Sequence, residues 1–346
     1  MEYYAQIYPH MREEELRALL IETWTSPLQF EPFTHFKERP RKGKYVNVTE
    51  SGFRMNRRQG PWPPSPRAFN IFFFGGPTTL GYSVRDDETI PSALQELLSH
   101  EACATPVSVY NFGRAAHHNS QERILFARLL VGGFTPQLAI FFDGINEFLV
   151  DADQPRVILE PRRPVKPEDK LLSMKLEMPF FRAARGARVR LERILVRNPP
   201  RGSDAGKQPD LRAQKATRVL TRYFRNKALI EAMAARFGVE TLYVWQPSPM
   251  HGYDLRYHLF PPQEEWGEVQ RYGYKEFKKI KARLQQREQE KILWLGDLQR
   301  NKKEPLYVDE WHYTAAFSRE IAEQIAQALV SRNLVCRVRA SLTERK

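Results

Sequence analysis

Cysteine is nearly absent from this chain, since Cys103 and Cys336 are the only two among its 346 residues. Two cysteines cannot build the disulfide framework of a small secreted protein or a cysteine-based zinc module. Long apolar runs are also absent. The longest candidate, Leu138 to Val150, is interrupted by polar residues and is shorter than the roughly 18 residues of a membrane span. The composition therefore excludes disulfide-rich and membrane-spanning classes for this sequence.

The first residues, Met1-Glu2-Tyr3-Tyr4, lack the basic and then apolar order of a signal peptide. We therefore expect the chain as it stands to be soluble, with no transmembrane segment. Its compartment is left open, and a cell-envelope location applies if an N-terminal anchor is missing from this sequence.

Acidic residues are scarce in one segment. The net charge is +13, and the segment Asp151–Ile230 holds 20 Lys and Arg against 9 Asp and Glu. A basic segment can bind nucleic acid, an anionic polysaccharide or a membrane surface. No zinc finger or RNP sequence accompanies it. A solvated, arginine-rich insertion is the simpler interpretation, and contact with a polyanion through this insertion is the alternative.

Apolar residues make up 42% of the chain, which is typical of a globular protein with a large core. From residue 68 onward, short apolar runs alternate with amphipathic segments. This alternation predicts an α/β fold with a parallel sheet of about five strands covered on both faces, which would bind ligands at the carboxyl ends of its strands. The predicted strands are Asn70–Phe74, Pro106–Asn111, Gln137–Phe142, Glu240–Trp245 and Lys291–Leu295. The predicted helices are Ile90–His100, Ser120–Val131, Ala213–Phe237, Glu268–Gln286 and Thr314–Arg332, with one more near Glu13 to Thr23.

The chain divides into three parts. Residues 1–68 form an N-terminal extension that ends in closely spaced prolines, and residues 336–346 form a C-terminal tail. Residues 69–335 form the α/β domain, which the basic insertion interrupts at about 151–212. The middle of the insertion, Met174 to Val196, is predicted to be an amphipathic basic helix. An insertion after the third strand would overhang the carboxyl edge of the sheet.

Four short signatures follow predicted strands or precede the last helix. They are Gly75-Gly76-Pro77-Thr78-Thr79, Asn111-Phe112-Gly113-Arg114, Asp143-Gly144-Ile145-Asn146-Glu147 and Asp309-Glu310-Trp311-His312. Each signature alone is weak evidence. Together, in this order and at these places, they indicate one site.

The set resembles the SGNH (GDSL-like) hydrolase superfamily, especially members whose first block reads Gly-Gly-Ser-Thr-Thr. The resemblance runs from about Asn70 to Leu329 and includes Gln246-Pro247 after the fourth strand. It implies a flavodoxin-like three-layer sandwich and hydrolysis of esters or acetyl esters, with a small-molecule or carbohydrate ester as ligand. We expect no cofactor and no metal ion.

The resemblance also implies a role for each block. Gly113 would be the oxyanion glycine and Asn146 the oxyanion asparagine, because donors aimed at the developing oxyanion lower the barrier of acyl transfer. His312 would be the general base, and Asp309 would orient it. Pro77 takes the position of the nucleophilic serine.

Proline has no hydroxyl and no backbone N–H. In the family that the chain resembles, the N–H of the nucleophile is one of the oxyanion donors, so this one residue would remove both the nucleophile and a donor. Its fixed backbone angle is tolerated at the start of a helix, so the fold should survive. Three explanations stay open: a natural pseudoenzyme, a recent or artificial variant, since serine and proline codons can differ by one base, and replacement of the nucleophile by Thr78 or Thr79. The last is disfavoured because a neighbouring turn residue points elsewhere.

Four other polar residues have simpler explanations than a role in the site. We expect His117 and His118 to cap or flank the next helix. Asp143 and Glu147 are better explained as a strand-end carboxylate and a surface glutamate than as a metal pair.

The leading hypothesis is an esterase or carbohydrate O-deacetylase whose catalysis is impaired by Pro77, and whether the chain is an enzyme is left open. The alternative is a non-catalytic pseudoenzyme or scaffold that binds an acylated or anionic ligand through the cleft and the basic insertion. A third hypothesis is a basic protein that associates with nucleic acid or another polyanion.

Overall fold

The computed structural model describes residues 2–100, 105–149, 211–262 and 264–335. The two cysteines and the predicted C-terminal tail lie outside these residues. So does the predicted basic insertion, including Met174 to Val196, apart from its last two residues. The expectations for those segments stay predictions.

Five parallel strands form the central sheet. They are β3 (Phe69–Gly75), β4 (Val107–Gly113), β5 (Leu138–Asp143), β6 (Glu240–Trp245) and β7 (Ile292–Trp294). Their order across the sheet is β4-β3-β5-β6-β7, and every neighbouring pair is parallel. Counted from the first of these strands, the order is 2-1-3-4-5, which is that of flavodoxin. The predicted fold class, a flavodoxin-like α/β sandwich with a sheet of about five strands, is confirmed.

The sheet is buried on both faces, which explains why its strands are continuous apolar runs. All seven residues of β3 are buried, and alternate side chains join two separate clusters. Phe69, Ile71 and Phe73 contribute to one cluster, whereas Phe72 and Phe74 contribute to the other.

Helices cover each face. The face that holds Ile71 is covered by α4 (Ile90–His100) and α10 (Ala315–Ser331). The opposite face is covered by α5 (Asn119–Val131), α7 (Leu211–Phe237) and α8 (Glu264–Arg283). Short elements complete the domain: α3 (Pro77–Leu80), α6 (Ile145–Leu149), α9 (Gln286–Glu290) and 3₁₀ turns at Asp86–Glu88 and Leu255–Tyr257. Among the helices of the described residues, none is both long enough and apolar enough to cross a membrane.

The predicted helix Glu268–Gln286 begins four residues too late and runs too far. The structure divides it into α8 and α9, with the break after Arg283. Boundaries are set by tertiary contacts as much as by local pattern, which is why they are the least certain part of a sequence-based prediction.

The N-terminal segment packs onto the domain. It contains α1 (Glu2–Ile7), α2 (Glu13–Trp24) and an antiparallel pair, β1 (Leu28–Glu31) with β2 (His35–Glu38). Residues from both helices share a buried cluster with Val308, one residue before Asp309. The hairpin was not predicted. Two residues at its turn, Phe33 and His35, have positive φ, a conformation normally signalled by glycine or asparagine.

The register of the parallel strands places the predicted site residues at the carboxyl edge of the sheet. Gly75 at the end of β3 pairs with Gly113 at the end of β4 and with Phe142 near the end of β5. The carboxyl ends of β3 and β5 also define the point where the strand order reverses, which is where such sheets bind ligands.

Candidate active site

The tip of the first loop is Pro77. Gly76 caps α3, and Pro77 is its first helical residue, where the absent N–H would have had no partner in the helix. Between residues 71 and 80, Pro77 is the one residue that is not buried. The local fold therefore accepts proline and leaves it partly exposed at the carboxyl edge of the sheet.

Close packing explains the glycine before the proline. A Cβ on Gly76 would lie 2.1 Å from Asn146 Nδ2 and 3.0 Å from the carbonyl oxygen of His117. No larger residue fits without displacing the asparagine. The backbone beside position 77 thus touches both the second and the third predicted loops.

Neither threonine of the turn is placed as a free nucleophile. The Thr78 hydroxyl donates to Gln246 Oε1 at 2.8 Å. Thr79 is fully buried, and its Oγ1 packs against Gly75 on the sheet side, without a hydrogen-bond partner in the described part of the chain. These contacts agree with the expectation that the neighbouring turn residues point elsewhere.

Gly113 does not offer a free N–H. Its amide donates to Asn111 Oδ1 at 3.0 Å, and a Cβ on Gly113 would lie 2.3 Å from the Leu80 backbone nitrogen. Gly113 is therefore a glycine because α3 packs against it. Its predicted role as an oxyanion donor would require the bond to Asn111 to break, and that role stays a prediction.

Ala116 offers a better-placed donor in the same loop. It is exposed and has a positive φ of 54°, and its N–H makes no hydrogen bond within the described residues. It directly precedes His117, whose carbonyl oxygen contacts Asn146. Sequence reasoning missed this residue because alanine gives no signal of a left-handed backbone conformation.

Asn146 lies where the sequence predicted it. It is the second residue of α6, is half-buried, and donates one N–H to the His117 carbonyl oxygen at 2.6 Å. A side-chain amide has two N–H groups, so a second donor remains for a ligand. The bond to His117 fixes the direction of that donor.

Asp309 and His312 form a hydrogen-bonded pair. His312 Nδ1 lies 2.7 Å and 2.9 Å from the two carboxylate oxygens of Asp309. Asp309 also accepts the backbone N–H of Trp311 and of His312, each at 2.9 Å. Burial acts to raise the pKa of Asp309, but the His312 charge and these hydrogen bonds outweigh it and hold that pKa below its ordinary value. The carboxylate is thus ionised at neutral pH and orients the imidazole.

The other ring nitrogen of His312 is unused. Nε2 is buried and has no hydrogen-bond partner in the parts of the chain that the structure describes. The ring packs against Tyr82 at 5.0 Å and against Trp24 of α2 at 5.4 Å between centroids. The imidazole is therefore oriented and sheltered, with one ring nitrogen unpaired in the described part of the chain.

Gln246 connects the turn to Tyr313, the residue that follows His312. Its Oε1 accepts the Thr78 hydroxyl at 2.8 Å and the Tyr313 hydroxyl at 3.0 Å. In addition, the Tyr82 N–H donates to the Pro77 carbonyl oxygen at 3.2 Å, while the Tyr82 ring packs on His312. These links bring all four predicted loops to one edge of the sheet.

The two histidines of the second loop have structural surroundings. His118 caps α5 and accepts the Ser120 N–H at 3.3 Å; burial lowers the pKa of His118 to about 4. His117 is buried, with its ring Nε2 3.3 Å from the carbonyl oxygen of Phe36.

The expectation for Glu147 was wrong in one respect. This residue is completely buried rather than on the surface, and it accepts the Asn119 N–H at 2.7 Å and an Arg222 N–H at 3.1 Å. Asp143 and Glu122 are buried beside it. Burial and the neighbouring carboxylates raise the pKa of Asp143 and of Glu122 well above ordinary values.

Within the residues that the structure describes, these carboxylates do not form a metal centre. No group of three or more His, Cys, Asp or Glu side chains is arranged there to hold an ion. Glu147 of this cluster directly follows Asn146 in α6, so the cluster adjoins the third loop.

A scan against protein-family models and a search of curated proteins found no match. Among solved structures, one similar chain is a member of the lipolytic protein G-D-S-L family from Veillonella parvula DSM 2008. It has 12% identity and a TM-score of 0.39, and the match covers 75% of this chain and 97% of that one.

A catalytic mutant of an acetylxylan esterase from Geobacillus stearothermophilus has 12% identity and a TM-score of 0.40, covering 75% and 93% of the two chains. A carbohydrate acetylesterase from Sinorhizobium meliloti has 10% identity and a TM-score of 0.40, covering 76% and 98%. Likenesses of this size carry no functional argument, so the function of this chain is inferred from its own site.

Proposed function

We propose that this chain is an SGNH-type ester hydrolase of the esterase or carbohydrate O-deacetylase class, with catalysis impaired by Pro77. The observation that carries the proposal is the Asp309–His312 pair with an unpaired, buried Nε2, linked through Gln246 and Tyr82 to a turn that presents residue 77. A base oriented in this way serves an activated nucleophile. Here the nucleophile position holds a residue that cannot react.

The same geometry supports an acyl ligand. Asn146 has an amide N–H to spare, and Ala116 has an unpaired backbone N–H in the adjoining loop. Two such donors would bind the carbonyl oxygen of an ester and stabilise the oxyanion formed on attack. In this proposal Ala116 takes the role that the sequence assigned to Gly113, and the ligand is a small-molecule or carbohydrate ester.

The alternative proposal is a pseudoenzyme or scaffold that binds an acylated or anionic ligand without turning it over. The favouring observation is Pro77 itself, which removes the nucleophile yet fits the first position of α3 without disturbing the helix. Contact with a polyanion through residues 151–212 belongs to this proposal and lies outside the described residues.

Labelling with a fluorophosphonate and turnover of p-nitrophenyl acetate distinguish the two proposals, each measured on the chain and on Pro77→Ser. An impaired hydrolase gains both activities in the serine variant. If the folded variant gains neither, the assignment of the site fails. Full activity in the unmodified chain would instead show that Pro77 does not impair catalysis.

A further inference from the structure

The turn that carries Pro77 is held from outside the α/β domain by Arg54. This residue belongs to the N-terminal segment, is 1% exposed, and directs its guanidinium at the far end of α3. Nη1 donates to the carbonyl oxygens of Leu80 at 2.8 Å and Gly81 at 2.5 Å, and Nη2 donates to that of Val84 at 2.7 Å. One side chain thus binds three backbone carbonyl oxygens within residues 80–84, shortly after position 77.

These carbonyl groups need an external partner. The helix α3 has only four residues, so its last carbonyl groups find no N–H further along the helix. The Thr79 carbonyl oxygen is bound separately, by Asn111 Nδ2 at 3.0 Å. Arg54 satisfies the next ones, where the chain reverses through Gly81 with a φ of 89°.

The guanidinium is itself held in place. Its Nε donates to Asp86 Oδ1 at 2.8 Å, and Asp86 Oδ2 accepts Asn47 Nδ2 at 2.7 Å. The Arg54 backbone N–H donates to the Asn111 carbonyl oxygen at 3.0 Å. The cation is therefore paired, and its backbone is attached to the end of β4 beside the site.

We propose that Arg54 is a positioning residue, which holds the turn at residue 77 in register with His312 and Asn146. The inference rests on the proposed function for its catalytic consequence, but not for its structural one. Acyl transfer demands close alignment, and a shift of about 1 Å costs on the order of 10²-fold in rate. The N-terminal segment is then a working part of the site rather than an addition to it.

Arg54→Lys tests this inference, with Arg57→Lys as the matched control. Lysine keeps the charge and most of the stem, but its single ammonium cannot span Asp86 and three carbonyl oxygens as the planar guanidinium does. Arg57 lies three residues further along the same segment and is exposed.

The first measurement is hydrogen exchange of the amides of residues 79–82, made in the unmodified Pro77 background. These amides are bonded to the Gly76 and Pro77 carbonyl oxygens, so their exchange reports opening of the turn. We expect faster exchange there in Arg54→Lys, with the central strands still protected, and no change in Arg57→Lys. Unchanged exchange in a folded Arg54→Lys would overturn the inference.

The second measurement is turnover in the Pro77→Ser background. We expect Arg54→Lys to lower kcat by about 10- to 100-fold while changing KM by no more than about 3-fold, because the chemical step and not ground-state binding depends on alignment. An unchanged kcat, or a loss confined to KM, contradicts a positioning role. If Pro77→Ser alone shows no turnover, the proposed function fails, and the exchange measurement still decides the role of Arg54.

Asp86→Asn provides a second variant should Arg54→Lys not fold. It weakens the partner that orients the guanidinium but leaves the bonds to the three carbonyl oxygens. We expect intermediate exchange at residues 79–82 in the unmodified background and a fall in kcat of about 3- to 10-fold in the serine background. If both values equal those of the parent, the inference is wrong.

Discussion

Replacement of Pro77 by serine supplies two groups at the partly exposed tip of the first loop, a hydroxyl and a backbone N–H. In a serine protease, loss of the nucleophile costs about 10⁶-fold in kcat. Loss of one oxyanion donor costs about 10²- to 10³-fold. These values set the upper limit of the gain in kcat that the substitution can produce here, where Asp309, His312 and Asn146 already lie at the same edge of the sheet.

The cost to the fold should be small. Pro77 occupies the first helical position, where serine is accommodated without breaking a hydrogen bond. Removing a compatible proline destabilises a protein by about 0.4–1 kcal/mol through the entropy of the unfolded chain. A hydroxyl that reaches the unpaired Nε2 of His312 would offset about 0.5–1.5 kcal/mol. The free energy of unfolding should therefore change by less than about 1 kcal/mol.

The assay is p-nitrophenyl acetate turnover with parallel fluorophosphonate labelling and peptide mapping to position 77. We expect turnover to rise at least about 10³-fold over the unmodified chain, which is less than the roughly 10⁶-fold effect of a nucleophile in a serine protease. Pro77→Ala is the matched control, because it restores the N–H without the hydroxyl. If folded Pro77→Ser and Pro77→Ala have equal turnover, no nucleophile has been gained and the reasoning is refuted.

Three further predictions test other parts of the site. In the Pro77→Ser background, Asp309→Asn should lower kcat by about 10⁴-fold by removing the group that fixes the His312 tautomer, and a loss under tenfold would contradict that role. Gly113→Ala should lower the free energy of unfolding, measured by urea denaturation, by about 1–3 kcal/mol, because the new Cβ would lie 2.3 Å from the Leu80 backbone nitrogen. Gly132→Ala is the control and should show no comparable loss, because the closest contact of its Cβ is a Phe134 side chain. Glu122 has a raised pKa in the fold, so the folded state holds a proton that the unfolded state releases above its ordinary value of 4.5. Stability should thus fall as pH rises above that value, by up to about 1.4 kcal/mol per pH unit for this group, and Glu122→Gln should flatten that slope in urea unfolding between pH 5 and 8. Identical slopes in the two proteins would count against the protonated, buried carboxyl.

The order of strands and helices could be predicted from the sequence because the sheet is buried on both faces. Residues 71–74, 138–142 and 242–245 are apolar without interruption, and amphipathic helices lie between these runs. The four loops followed from this alternation, since each falls directly after a strand or before the last helix. The sequence therefore predicts Asn146, Asp309 and His312 at one edge of the sheet.

Contacts between distant segments decided the remainder. Arg54 was invisible in the sequence because an arginine among basic residues is normally solvated, and here it is buried against four acceptors. Glu147 was expected at the surface because a charged side chain is normally solvated. In the structure it is buried and pairs with Arg222, which lies 75 positions further along the chain.

The sequence by itself determined the strands of the sheet, the edge where the candidate site lies and the pairing of Asp309 with His312, because hydrophobic period and short spacing are local properties. Only the tertiary structure decided which N–H groups are free. The amide of Gly113 is used by Asn111 and that of Ala116 is not, a difference set by φ angles and by packing of α3 against β4. A hydrogen bond depends on where both partners end up in space, and a linear pattern records the position of neither.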